Sequence, residues 1–304
     1  MRLIVGTRGS KLAIAQTVSV IQELKKFFPE IEISIKIIKT LGDRLVEKPL
    51  ASIHRKGIFE KEIDKAILNE EIDFAVHSMK DVPISFSRDL MIVAVPKRGP
   101  PYDVLISNKN LKLNELPSGS IIGTSSLRRA AQILHVRPDL IIKSIRGNID
   151  TRIMKLKQKD FDAIVLAEAG LYRLKMQNYI TERLSLKEFT PAPGQGALAV
   201  VVRKDNKKII NMLKRINHPL SMAEAFAERA FLQGIGSWCN LPIGAIAKSY
   251  NGNLSIVCSI LSFDGRLKLQ FSEVGSIKSP EKLGKKAAQK AIKLGVKGLI
   301  KHYY

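Results

Sequence analysis

Pro191-Ala192-Pro193-Gly194-Gln195-Gly196, followed at once by the apolar run Ala197–Val202, is the stretch on which the fold turns. Two prolines and two glycines in six residues cannot sit inside a helix or a central strand, so the segment reads as a connection. A second segment of the same kind, Lys97-Arg98-Gly99-Pro100-Pro101, follows the apolar strand Met91–Val95. Strand and helix patterns alternate on both sides of it. Two such connectors describe a chain that leaves one α/β body, builds a second, and returns to the first. The expected bodies are 1–96 with 197–217, and 102–191. From about Ser221 the pattern changes to a small α+β domain, expected over 219–304.

Working outward, Leu3–Val5 reads as a strand and Ser10 as the N-cap of a helix running to Phe28, with Pro29 ending it. Its inward face is expected at Leu12, Ala15, Val18, Ile21 and Leu24. Ile31, Ile33, Ile35 and Ile37 alternate with polar residues, a half-buried strand pattern. Lys39–Lys56 is polar, broken by Gly42 and Pro49, and reads as a mobile lid. Ile58–Asn69 reads as a helix and Phe74–His77 as a strand. In the second body, strands are expected at Val104–Ile106, Ile121–Gly123, Ile141–Ser144 and Ala163–Leu166. The last domain is expected to hold a helix at Ala223–Leu232, two strands at Leu254–Leu261 and Leu267–Glu273, and a final helix at Pro280–Leu294.

Of the 304 residues, 45% are hydrophobic and 26% charged, enough to build cores and to exclude intrinsic disorder. No apolar run approaches the ~18–20 residues of a membrane span. The first ten residues, MRLIVGTRGS, lack a signal-peptide layout, giving the expectation of a cytoplasmic protein. Cys239 and Cys258 are too few for a disulfide framework or a four-ligand zinc site, and no metal is expected. Fifty Lys and Arg against 28 Asp and Glu give a net charge of +22, which fits nucleic acid, an anionic membrane or a polyanionic small molecule alike. Aromatic residues are only 6% and the basic residues are spread along the chain, unlike a stacking nucleic-acid strip. No association helix is apparent, so a monomer is expected.

Open α/β sheets bind ligands beyond the carboxyl ends of their strands. Arg8 and Ser10 follow the first strand, and Lys80-Asp81 follows Phe74–His77. Thr124-Ser125-Ser126 opens a helix carrying Arg128 and Arg129, Arg146 with Arg152 follows Ile141–Ser144, and Arg173 follows Ala163–Leu166. Taken singly each arginine is more often a solvated or structural charge. Together, at strand ends and helix N-termini, they make a site for carboxylates or phosphates. Asp81 reads as the only acid in this basic set, stabilising a developing cation or shuttling a proton, or else serving as a cap or ion-pair partner. Cys239 lies in the loop Gly236-Ser237-Trp238-Cys239-Asn240, where it reads as an inert small hydrophobe or a reactive thiolate.

Nine stretches in order resemble the porphobilinogen deaminase family: GTRGSKLA from Gly6, KGIFEKE from Lys56, HSMKDVP from His77, GTSSLRRAAQ from Gly123, RGNIDTR from Arg146, AGLYRL from Ala169, APGQGALA from Ala192, ERAFL from Glu228 and CNLPIG from Cys239. The resemblance implies two type II periplasmic-binding-protein-like α/β domains with a double crossover, plus a small C-terminal α+β domain. It implies a transferase that condenses four porphobilinogen molecules, releasing ammonia, to give hydroxymethylbilane. The chain would grow on a dipyrromethane cofactor held by Cys239 through a thioether, with Asp81 catalytic. Cofactor contacts would come from Lys80, Asp81, Thr124, Ser126, Arg128, Arg129, Arg146 and Arg152. Substrate contacts would come from Arg8, Ser10, Arg146, Arg152, Arg173 and Gln195, with Lys56 and Phe59 bordering the lid. Where the family has glycines before the anchoring cysteine, this chain has Ser237-Trp238, and Trp238 either packs under the loop or flanks the first pyrrole ring.

Two other readings compete. A solute-binding protein would share the architecture and the anion site, without needing Asp81 or Cys239. A nucleic-acid-binding protein would use the charge directly, with affinity falling steeply with salt. Neither explains the ordered motifs.

Overall fold

The computed structural model describes residues 1–40, 60–84, 87–236, 241–296 and 299. In chain order the first stretch forms β1 (Arg2–Thr7), α1 (Lys11–Lys25), β2 (Glu32–Ile37), α2 (Lys61–Leu68), β3 (Phe74–Ser78) and β4 (Leu90–Ala94). The next forms β5 (Asp103–Ser107), β6 (Ile121–Gly123), α3 (Leu127–Val136), β7 (Ile141–Lys143), α4 (Ile149–Lys157), β8 (Ala163–Ala167), α5 (Glu168–Arg173) and β9 (Glu182–Arg183). Then come β10 (Leu198–Arg203), α6 (Lys207–Leu213), α7 (Pro219–Ile235), β11 (Ile243–Tyr250), β12 (Asn253–Leu261), β13 (Lys268–Ser276) and α8 (Pro280–Lys293). The chain separates into two compact units, Met1–Gly99 with Ala197–Met222, and Pro100–Gly196 with Ala223 onward.

The first unit holds a five-stranded sheet in the order β2-β1-β3-β10-β4, and the second a five-stranded sheet in the order β7-β6-β8-β5-β9. With β10 and β5 set aside, the two orders are the same, 2-1-3-4 along each unit. In each, three neighbouring strands run parallel and one strand, β10 or β5, lies antiparallel between its neighbours. That reversed strand is the one that follows a connector. Its first residues therefore stand at the carboxyl ends of the parallel strands: Leu198 pairs with Ser78, and Asp103 with Ala167. With the antiparallel three-stranded sheet β11-β12-β13, this is the fold class the resemblance implied.

Burial explains the central strands. Val200, Val201 and Val202 of β10 are all buried, so both faces of the strand are covered and a continuous apolar run replaces alternation. Each such side chain contributes about 1.5–3 kcal/mol relative to exposure. The core of the first unit packs Leu3, Val5, Phe74 and Val76 against Val20 and Leu24 of α1.

Three local expectations are corrected. The buried face of α1 is Gln16, Thr17, Val20 and Leu24, while Val18 is 37% exposed. Polar side chains can occupy that face because each is bonded: Gln16 Nε2 donates to Ser78 Oγ at 2.8 Å, and Thr17 Oγ1 to Ala13 O at 2.9 Å. β2 is an edge strand, paired to β1 alone, and Ile35 and Ile37 are exposed. The C-terminal sheet has three strands; β11 was missed because a glycine and two alanines among its first five residues carry little strand propensity.

Those small residues are what the packing requires. A Cβ on Gly244 would lie 2.4 Å from Thr190 O, so the backbone of β11 touches the chain leading into the second connector. Gly265, at φ +73°, brings the β12–β13 turn so close to α3 that a Cβ would lie 2.4 Å from Ala131 O. Glu228 of α7 is buried and joins these parts: its Oε2 accepts from Gly194 N at 2.6 Å and its Oε1 from Ala247 N at 2.8 Å. Glu228→Gln turns one acceptor into a donor facing an N–H. It should lower the unfolding free energy by about 1–3 kcal/mol in urea titrations, with no gain in any solvent condition.

Candidate active site

In the first unit β1 and β3 are parallel neighbours, so the residues after them share one edge. Arg8 and Ser10 follow β1. Lys80 and Asp81 lie in the single 3-10 turn Met79–Asp81 after β3. The turn is pinned by the buried Met79 side chain and by Met79 N donating to Ala197 O at 3.0 Å. Ser10 is the N-cap of α1, its Oγ accepting from Ala13 N at 3.2 Å. A small open cleft lies there, bordered by Arg8, Ser10, Gln16, Glu60, His77 and Asp81. Asp81 is exposed, while Glu60 and His77 are buried. Burial, and then the charge of Arg8, lower the His77 pKa to about 4, so the imidazole is neutral at ordinary pH.

In the second unit β6, β7 and β8 run parallel, and their carboxyl ends carry the remaining candidates. Ser126 caps α3, its Oγ accepting from Arg129 N, and Thr124 Oγ1 accepts from Ser126 N at 3.2 Å. Arg128 and Arg129 leave the first turn of α3 and turn inward. Arg128 Nη1 donates to Asp103 Oδ2 at 2.6 Å, to Gln132 Oε1 and to Thr190 O. Arg129 Nε donates to Asp103 Oδ1 at 2.9 Å and its Nη1 to Val165 O. Gln195 Nε2 donates to the same Asp103 Oδ1 at 2.9 Å and to Pro101 O at 2.8 Å. Burial pushes the Asp103 carboxyl up, but the two guanidinium groups outweigh it and hold the carboxyl far below the usual range.

Asp103 adds two things that the sequence reading lacked. It is a second acid in the basic set, where Asp81 alone was expected. It also engages Arg128, Arg129 and Gln195, all three expected at cofactor or substrate, in bonds within the protein. The signal was present in part: an acid directly before the apolar strand Val104–Ile106 and directly after Pro100-Pro101-Tyr102 stands at a carboxyl edge if that strand is reversed.

Arg146, Arg152 and Arg173 stand differently. Each is half-buried at the edge. Arg152 Nε donates to Gly147 O at 2.9 Å and Arg173 Nη2 to Gly196 O at 2.7 Å, both backbone carbonyls. Burial, and then the charges of Arg129 and Arg146, lower the Arg152 pKa to about 10; burial alone lowers Arg173 to about 10. Cations that repel one another at a partly desolvated edge, beside the hydroxyls of Thr124 and Ser126, suit a ligand with several carboxylates. The donor set therefore fits the acetates and propionates of an oligopyrrole. Lys56, Phe59, Trp238, Cys239 and all but the first two residues of the 39–56 segment lie outside the described residues. Among the described residues no cluster of His, Cys, Asp and Glu could hold a metal ion, and no helix is long and apolar enough to cross a membrane.

The family profile "Porphobilinogen deaminase, dipyromethane cofactor binding domain" matches residues 3–211, and "Porphobilinogen deaminase, C-terminal domain" matches 222–293. The chain is 48% identical over 299 residues to a probable porphobilinogen deaminase of Nitrosopumilus maritimus, covering 98% of this chain and 96% of that one. It is 43% identical over 299 residues to porphobilinogen deaminase of Thermus thermophilus, covering 98% of each. Among solved structures, the methionine-binding protein MetQ superposes with a TM-score of 0.45 at 13% identity, over 71% of this chain and 89% of that one.

Two pH-dependent outcomes follow from the buried groups. Asp103→Asn leaves two guanidiniums around a neutral amide and should destabilise the protein by about 3–5 kcal/mol at neutral pH. Because the folded carboxyl titrates below its ordinary 3.8, its contribution is present above that pH and lost below it, so the gap between variant and wild type should close on acidification. His77 behaves in the opposite sense. Between pH 6.5 and about 4 the unfolded chain takes up a proton that the folded chain refuses, so stability falls across that window. His77→Gln should remove that fall, as urea midpoints at pH 7, 5.5 and 4.5 would show.

Proposed function

Because this chain belongs to the porphobilinogen deaminase family, we propose that the carboxyl edges of its two α/β sheets hold the carboxylates of a growing oligopyrrole. The protein is a transferase of tetrapyrrole biosynthesis that condenses four porphobilinogen molecules head to tail, with release of ammonia, to give hydroxymethylbilane. Its cofactor is dipyrromethane. When bound, this group supplies the pyrrole carbon to which new units are added. Thr124, Ser126, Arg146 and Arg152, with Lys80, hold its carboxylates, and the Cys239 thiol is its thioether anchor. Arg128 and Arg129, locked on Asp103, lend positive charge to the edge and fix its shape. Arg8, Ser10 and Arg173 receive the carboxylates of incoming substrate, while Gln195 clasps the connector from within.

Arginines positioned by backbone carbonyls can accept carboxylates in a fixed register, which brings the reacting carbons together. Asp81, open on its cleft with Arg8, faces the positive charge that develops on the substrate pyrrole as ammonia leaves. The observation that supports this reading most directly is the placing of Arg8 with Asp81, and of Arg146, Arg152 and Arg173, at the carboxyl ends of parallel strands in their respective units. The third domain, 219–304, carries the anchor; its own core, built from α7, α8 and the three-stranded sheet, supports that division. The enzyme works as a monomer in the cytoplasm without nucleic acid or membrane, a reducing compartment that keeps a lone thiol available.

The test is intact mass. Purified protein should exceed its own chain mass by two porphobilinogen-derived units, and Cys239→Ser should lack the excess. Protein that stays unmodified even after incubation with porphobilinogen would remove the anchor. Asp81→Asn should keep fold and added mass and lose roughly 10²–10⁴-fold in turnover. Wild-type turnover in that variant would take Asp81 out of the mechanism.

A further inference from the structure

His77 is out of keeping with its surroundings. It closes the buried run of β3, is 7% exposed, and borders the same cleft as Arg8, Glu60 and Asp81. Its Nε2 is shielded from solvent and has no hydrogen-bond partner among the described residues. A buried polar atom left unsatisfied lowers stability, and an apolar side chain of the same size would remove that penalty. Natural proteins tolerate such groups mainly where something else uses them.

The cleft suggests what uses it. A porphobilinogen molecule offers two carboxylates, a pyrrole N–H and an aminomethyl group, which is protonated at neutral pH. Its carboxylates go to guanidiniums and hydroxyls. The aminomethyl group needs acceptors, and this cleft gathers them: the carboxylates of Glu60 and Asp81 and an imidazole that carries no charge of its own. A neutral imidazole always keeps one ring nitrogen as an acceptor. It can take a hydrogen bond from the ammonium without opposing the positive charge that must move onto the pyrrole.

We propose that His77 is a further substrate-site residue, its imidazole accepting a hydrogen bond from the aminomethyl group of incoming porphobilinogen and aligning the C–N bond that breaks. The inference rests on the deaminase reading above. The electron pair of that bond leaves with nitrogen as ammonia, and the positive charge passes to the pyrrole ring opposite Asp81. The terminal pyrrole carbon of the growing chain then attacks, and the proton it loses ends on ammonia as ammonium. His77 gains and loses no proton overall.

The experiment compares His77→Leu, His77→Gln and Asp81→Asn with wild type, reading kcat, KM, ammonia release in a single turnover, and urea midpoint. His77→Leu should fold with a midpoint no lower than wild type, yet lose about 10- to 100-fold in kcat and in ammonia release. His77→Gln, whose carbonyl oxygen is an acceptor, should recover to within a few-fold. Wild-type turnover in His77→Leu overturns the proposal, as does a lowered midpoint in that variant, which would make the histidine structural. Equal losses in the Leu and Gln variants overturn it too. Full activity in His77→Leu beside an inactive Asp81→Asn leaves the deaminase reading standing, whereas wild-type protein that releases no ammonia from porphobilinogen strikes that reading itself.

Discussion

One carboxylate organises the second unit. Asp103 is fully buried, and its two oxygens receive Arg128, Arg129 and Gln195. Taking three charges out of water is costly, and a partial set would be worse than none. Arg128 also reaches Thr190 O, and Gln195 also reaches Pro101 O. Those carbonyls belong to the chain entering and leaving this unit. The network therefore fixes both connectors and the first turn of α3, and with them the edge on which Thr124, Ser126 and Arg152 stand.

The two edges differ in electrostatic character, and the difference follows from local composition. Arginines of the second unit lower one another's affinity for protons, and the Asp103 carboxylate is spent internally. The edge keeps a net demand for anions. The first unit instead offers Asp81 and Glu60 beside Arg8, with a neutral histidine between strand and turn.

The sequence was legible where the backbone had few options. Connectors rich in Gly and Pro, strand ends followed by Arg or Ser, and the cap at Ser10 could be placed because each excludes other conformations. It was opaque where partners distant in sequence decide the outcome. Nothing local to Arg128 or Arg129 distinguishes a ligand-binding guanidinium from one held by an acid 25 residues away. The α1 face shifted because Gln16 found Ser78, 62 positions on. β11 hid behind alanines and a glycine whose value lies in the close approach to Thr190, visible only once both are folded.

The reversed strands bear on the order in which the protein is made. β3 and β4 do not pair with each other; β10 lies between them. The first sheet therefore cannot close until Leu198–Arg203 has left the ribosome, although β1 to β4 emerge first. The second sheet draws all five strands from one continuous stretch, 103–183, and closes as soon as β9 is synthesised. During elongation the N-terminal segment waits with the flanks of β3 and β4 unpaired, edges that would invite mispairing. The later-made sheet can thus close before the earlier-made one, and the crossing that defines the architecture also sets a period of vulnerability at birth.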